Sequence, residues 1–125
     1  MSATKKILII DDDPAICESV QAILDANGYE TATALSGKDG LEAFRAMDPD
    51  IVLCDMMMED IDAGVKVAKV MKAERPRTPV FLLSVIGDAT ADTVGIYNAG
   101  FNGVFQKPVD FDLLLSVLAK QAKTG

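Results

Sequence analysis

Short apolar runs and longer amphipathic stretches alternate along the whole chain. The first run, Ile7-Leu8-Ile9-Ile10, is continuous and ends in acids, the pattern of a strand buried on both faces. Behind it Asp13 is placed to cap a helix with Pro14 in its first turn, Ile16, Val20, Ile23 and Leu24 at helical spacing, and Gly28 at its end. Glu30 to Leu35 alternates as a second strand. Ser36, with Asp39 three residues on, opens a second helix carrying Leu41, Phe44 and Met47, which stops before Pro49. Ile51-Val52-Leu53-Cys54 is a third buried run, ending on Asp55. A loop rich in methionine and acids, Met56 to Asp62, leads to a third helix bearing Val65, Ala68, Val70 and Met71, closed by Pro76 and Pro79. Val80-Phe81-Leu82-Leu83 runs into Ser84, and a fourth helix is expected over 89–99 before Gly100. Val104-Phe105 is a short fifth strand followed by Lys107-Pro108, and Asp110 can cap a last helix carrying Phe111, Leu114, Leu115 and Leu118.

Strands that alternate with helices at intervals of about 20 to 25 residues imply parallel βαβ units. Five units are too few for a closed eight-stranded barrel, which leaves an α/β fold with an open doubly wound sheet and ligands at the carboxyl ends of its strands. The polar residues fall at that edge: Asp11 to Asp13 after the first strand, Asp55 after the third, Ser84 after the fourth and Lys107 after the fifth.

Composition narrows the possibilities further. The 125 residues suit one domain, 1–125, without linker, low-complexity segment or visible output domain. Nineteen acids against twelve bases give a net charge of −7, which argues against nucleic-acid or anionic-membrane binding by the surface as a whole. No signal peptide or membrane-length apolar stretch is visible, and Cys17 and Cys54 are too few for a disulfide framework, so a reducing cytoplasm is the expected location. With no histidine, the chain has no His-based triad, phosphohistidine relay or His-ligated zinc of its own.

Asp11, Asp12 and Asp55 would converge in a small volume, where unscreened carboxylates repel one another unless a cation intervenes. An all-oxygen donor set suits Mg²⁺ or Mn²⁺, and an acidic pocket holding such an ion with open positions suggests phosphoryl chemistry. Lys107 could pair with a carboxylate and with phosphoryl oxygens, Ser84 offers a hydroxyl donor, and a central aspartate can itself act as nucleophile and form an acyl phosphate. Singly, each residue has a plainer reading as a cap, a turn residue or a solvated lysine, and Asp13 reads as a cap only. Met56-Met57-Met58 reads as packing. The constellation on one sheet edge carries the argument.

The pieces Ile7 to Pro14, Asp50 to Met58, Leu83-Ser84 with Gly87-Asp88, Asn98-Ala99-Gly100 and Lys107-Pro108 together resemble the receiver domain of bacterial two-component response regulators, over essentially the whole chain. The resemblance implies the flavodoxin-like, CheY-like (βα)5 fold with a parallel sheet in the order 2-1-3-4-5. It implies that Asp55 is the phosphoacceptor, that Asp12 binds Mg²⁺ directly with Asp11 acting mainly through water, and that the main-chain carbonyl of Met57 is the third protein ligand. Ser84 matches the Ser/Thr that swings toward the phosphoryl group, and Lys107 the lysine that pairs with it. A sensor histidine kinase or phosphotransfer protein then supplies the phosphoryl group, and the surface formed by the fourth helix, fifth strand and fifth helix signals to a downstream protein. Such a domain is a switch rather than an enzyme, catalysing only its own phosphorylation and dephosphorylation.

Four departures from the family pattern stand out: Glu59 in place of Pro, Ala63 in place of Gly (with Gly64 next), Val85 in place of Ala, and Val104 in place of the switching Tyr or Phe. Phe105 is one residue out, which in a strand means the opposite face. A monomer or weak dimer is therefore expected. Slow hydrolysis is expected too, because Met57 and Ile86 are apolar where a water would be held in line. The rival readings are a haloacid-dehalogenase-like phosphatase, whose motif Pro14 and Ala15 break, a receiver-like docking module that is never phosphorylated, and a flavodoxin-type cofactor binder, for which no phosphate loop follows Ile10.

Overall fold

The computed structural model describes residues 5–56, 63–85 and 101–123. In chain order these form β1 (Lys6–Ile10), α1 (Pro14–Ala26), β2 (Glu30–Ala34), α2 (Gly37–Met47), β3 (Ile51–Asp55), α3 (Ala63–Glu74), β4 (Val80–Val85), β5 (Gly103–Lys107) and α4 (Phe111–Lys123). The helix expected over 89–99 lies outside the described residues. The strands form one parallel sheet in the order β2-β1-β3-β4-β5, as the resemblance implies. Among the described residues no helix is long and apolar enough to cross a membrane.

Why the strands read as unbroken apolar runs is plain from the two faces of the sheet. Ile7, Ile9, Ile51, Leu53, Phe81, Leu83 and Phe105 pack with α1 and α4 on one side. Leu8, Ile10, Val52, Cys54, Val80 and Leu82 pack with α2 and α3 on the other. With both faces covered, alternation disappears from the inner strands. At the edge, β2 keeps two exposed positions, Glu30 and Thr33, and Leu35 just beyond it is 48% exposed.

Local chemistry starts and stops the helices where expected. Asp13 Oδ1 accepts from the Ala15 N–H at 2.9 Å, Ser36 Oγ from Asp39 N–H at 3.1 Å, and Asp110 Oδ1 from Leu113 N–H at 3.1 Å. Gly28, with φ +90°, follows the Asn27 cap of α1 in the left-handed region that favours glycine. Val70 lies on α3 but is 39% exposed, while Ala68 and Met71 are buried and Val67 is partly so. At 100° per residue, Val70 turns away from the face that 67, 68 and 71 share.

At Gly40, α2 lies close against the sheet. A Cβ there would sit 2.6 Å from Ile10 Cδ1 and 3.0 Å from its Cγ1 and Cγ2. Alanine would gain about 1 kcal/mol of helix propensity but cost about 1–3 kcal/mol in overpacking. Gly40→Ala is thus expected to lower the urea midpoint. An unchanged or raised midpoint would show that Ile10 yields without strain.

Candidate functional site

Register and pleat assemble the site. Ile10 pairs with Cys54 and Asp55 with Leu83, while Val85 pairs with Lys107. Asp11, Asp55 and Lys107 continue the alternation of Ile9, Leu53 and Phe105, so all three project from the face that carries α1 and α4. Asp55 and Lys107 are the last residues of β3 and β5 rather than the first residues beyond them.

The resulting contacts are short. Lys107 Nζ lies 2.8 Å from Asp11 Oδ2 and 3.2 Å from Asp55 Oδ1, with its side chain only 12% exposed. Burial alone would lower the Lys107 pKa, but the adjacent Asp11 carboxylate, followed by that of Asp55, outweighs it, and the net shift is upward. Asp11 is fully buried, with Oδ1 accepting from the Asp13 N–H at 2.9 Å. Its Oδ2 has the ammonium as ion-pair partner but no aligned hydrogen-bond donor. Asp12 is exposed, and one carboxylate oxygen from each of Asp11, Asp12 and Asp55 lies within 4.8 Å of the others.

Three neighbouring carboxylates, two of them paired with one ammonium, leave an excess of negative charge. Asp11 Oδ2, buried without an aligned donor, and the exposed Asp12 carboxylate both retain capacity to accept. The oxygen-only donor set fits a hard divalent cation such as Mg²⁺ or Mn²⁺ and does not fit zinc. The same geometry leaves Asp55 as a carboxylate able to attack an electrophilic phosphorus, with a cation at hand to offset charge on the incoming group.

Ser84 reaches the same sheet edge by another face. It is 4% exposed and pairs with Gln106, and its alternation with Val80 and Leu82 puts it on the side of α2 and α3. Met57, Glu59 and Ile86 lie outside the described residues. Ala63 is the first residue of α3. Val104 packs against the α2–α3 side, whereas Phe105 faces the other side and meets Phe81 at 5.4 Å between ring centroids, as its one-residue offset predicts.

Two features near the site are not apparent from sequence reasoning. Cys17, read there only as a small hydrophobe, donates its Sγ–H to the main-chain oxygen of Asp11 at 3.4 Å. Its thiol is pushed up to about 11, first by burial and then by the Asp11 charge. Beside Lys107, a cavity of about 290 Å³ opens between α1 and the start of α4, walled by Ile16, Val20, Val109 and Phe111. Spacing signals neither, since the first depends on how α1 meets the end of β1 and the second on how α1 meets the end of the fifth strand.

Cys17 and Lys107 both hold their protons more tightly in the folded chain than in the unfolded one. The native state therefore binds more protons at alkaline pH, and stability falls as pH rises. For Cys17 the contribution is complete below its ordinary 9.0 and lost as pH climbs to about 11. Lys107 acts above its ordinary 10.5. Urea midpoints measured across this range should fall less for Cys17→Val than for the parent chain, and equal slopes would contradict the assignment.

Residues 7–119 match the response regulator receiver domain family. Transcriptional regulatory protein ZraR of Salmonella typhimurium is 37% identical over 114 residues, 91% of this chain and 25% of that protein. Probable transcriptional regulatory protein TcrX of Mycobacterium tuberculosis is 32% identical over 120 residues, 95% of this chain and 50% of that protein. The chain thus spans from a quarter to a half of the length of these curated relatives. The receiver domain of the Francisella response regulator 1452 superposes with a TM-score of 0.86 at 27% identity, covering 97% of this chain and 98% of that one. A CheY-like receiver domain protein from Methanospirillum hungatei gives 0.81 at 29% identity, with 98% and 100% covered.

Proposed function

Since the chain belongs to the response regulator receiver family, we propose that it is a signalling switch in which Asp55 accepts a phosphoryl group from a sensor histidine kinase, a phosphotransfer protein or a small phosphodonor. The observation that carries this reading is the Lys107 ammonium held between Asp11 at 2.8 Å and Asp55 at 3.2 Å, with Asp12 alongside.

In the proposed step an Asp55 carboxylate oxygen attacks phosphorus. The bond from phosphorus to the donor breaks and the donor leaves with its electron pair. Lys107 holds Asp55 in place and meets the charge of the transferred group, and Ser84, at the same sheet edge, supplies a hydroxyl donor once the end of β4 adjusts. Asp11, Asp12 and the main-chain carbonyl of Met57 would hold Mg²⁺ together with Asp55. The ion supplies charge that offsets the phosphoryl oxygens. The unit 1–125 acts as one receiver domain in the cytoplasm, passing the signal to a downstream protein. With Val104 in place of an aromatic residue, phosphorylation produces at most weak dimerisation. The domain is not a classical enzyme, since the substrate it modifies is itself.

Mg²⁺ tests the site without any phosphodonor. By binding only the folded state, the ion at about a hundred times its Kd should add roughly 2.7 kcal/mol, raising the melting temperature by about 10 °C. Asp12→Ala should relieve repulsion and erase that response. An Asp12→Ala chain that gains as much from Mg²⁺ as the parent would remove Asp12 from the ligand set.

A further inference from the structure

We propose that Cys17 is a positioning residue whose thiol orients the Asp11–Asp12 peptide and so sets the approach of the two acids to a divalent cation; this rests on the metal reading above. The Cys17 Sγ–H donates to the main-chain oxygen of Asp11 at 3.4 Å. That oxygen belongs to the peptide unit whose N–H is that of Asp12, so fixing its plane restrains ψ of Asp11 and φ of Asp12 together. The other ties on Asp11 act elsewhere. Its N–H donates to Ala34 O at 3.0 Å, and its Oδ1 accepts from Asp13 N–H at 2.9 Å. Without the thiol, the strand end and the carboxylate stay anchored while the peptide between them can turn.

Burial fits this role. Asp11 is fully enclosed and Cys17 is 3% exposed, so water does not readily replace the lost donor. Cys17 N–H donates to Asp13 O at 3.2 Å as α1 begins, so the helix itself delivers the sulfur to this point. The fully buried Asp11 Oδ2 meets the Lys107 ammonium at 2.8 Å, so the carboxylate that the peptide carries faces the charged centre of the site.

Packing and donation make opposite predictions for two substitutions. Cys17→Val fills the apolar site but cannot donate, whereas Cys17→Ser is smaller and more polar but keeps a donor. The experiment is Mg²⁺ titration by calorimetry on the 125-residue chain and both variants, with melting temperatures recorded alongside. The expected result is a Kd raised about tenfold in Cys17→Val, the lower end of what outer-shell partners contribute. Cys17→Ser should keep the parent Kd, whatever its melting temperature. If Cys17→Val binds Mg²⁺ like the parent, or if both variants weaken equally, the thiol does not position the acids. If the parent chain binds no Mg²⁺, it is the metal reading that fails.

Discussion

An Asp55→Asn chain incubated with acetyl phosphate and Mg²⁺ is expected to show no phosphoryl adduct in its intact mass. The amide is nearly isosteric with the carboxylate but is not a competent nucleophile toward phosphorus. It also removes one of three acids that each bring a carboxylate oxygen within 4.8 Å of the others, only two of them paired with Lys107. Without Mg²⁺ the variant should therefore melt no lower than the parent, so a missing adduct cannot be attributed to unfolding. A single adduct surviving the substitution would place the chemistry on another residue.

The second large effect concerns Lys107. Its ammonium is the cation seen at the Asp11 and Asp55 carboxylates, whose side chains are 0% and 7% exposed. Removing one partner of a buried ion pair typically costs about 3–5 kcal/mol, because the remaining charge is left uncompensated. Lys107→Met keeps much of the aliphatic volume and deletes the charge, so it isolates that cost. In the absence of Mg²⁺ it should lower the melting temperature by about 10 °C or more, and saturating Mg²⁺ should restore part of the loss. Lys107→Arg should recover stability better than phosphoryl uptake, since a planar guanidinium does not occupy the place of a compact ammonium between two carboxylates. If Lys107→Met melts like the parent, the pair contributes no net stability.

Much of this arrangement is legible in the order of residues. Ile7 to Ile10, Ile51 to Cys54 and Val80 to Leu83 are apolar without interruption because helices cover both faces of their strands. Each run ends in a polar residue because the carboxyl edge opens beyond it. The opposed facing of Val104 and Phe105 also follows from the period of two. Other features depend on contacts between distant parts of the chain. The pleat sends Ser84 to the face opposite Asp55 and Lys107, whereas its position after an apolar run shows only that it reaches the edge. Strands β3 and β5 extend one or two residues past their apolar runs because the ladder to β4 continues through Leu83 and Val85. Val70 belongs to an apolar helix by composition, yet the phase that buries Ala68 and Met71 turns it outward. Cys17 is the clearest case. Its apolar neighbours identify it as core, and only the meeting of α1 with the end of β1 reveals the bond to Asp11.

The most direct test of the account is the intact mass of the unsubstituted chain after incubation with acetyl phosphate, with and without Mg²⁺, followed by peptide mapping. One phosphoryl group per chain is expected, formed only with the divalent ion and located on Asp55. No adduct with Mg²⁺ present, or an adduct that forms equally well under chelation or maps to another residue, would contradict it.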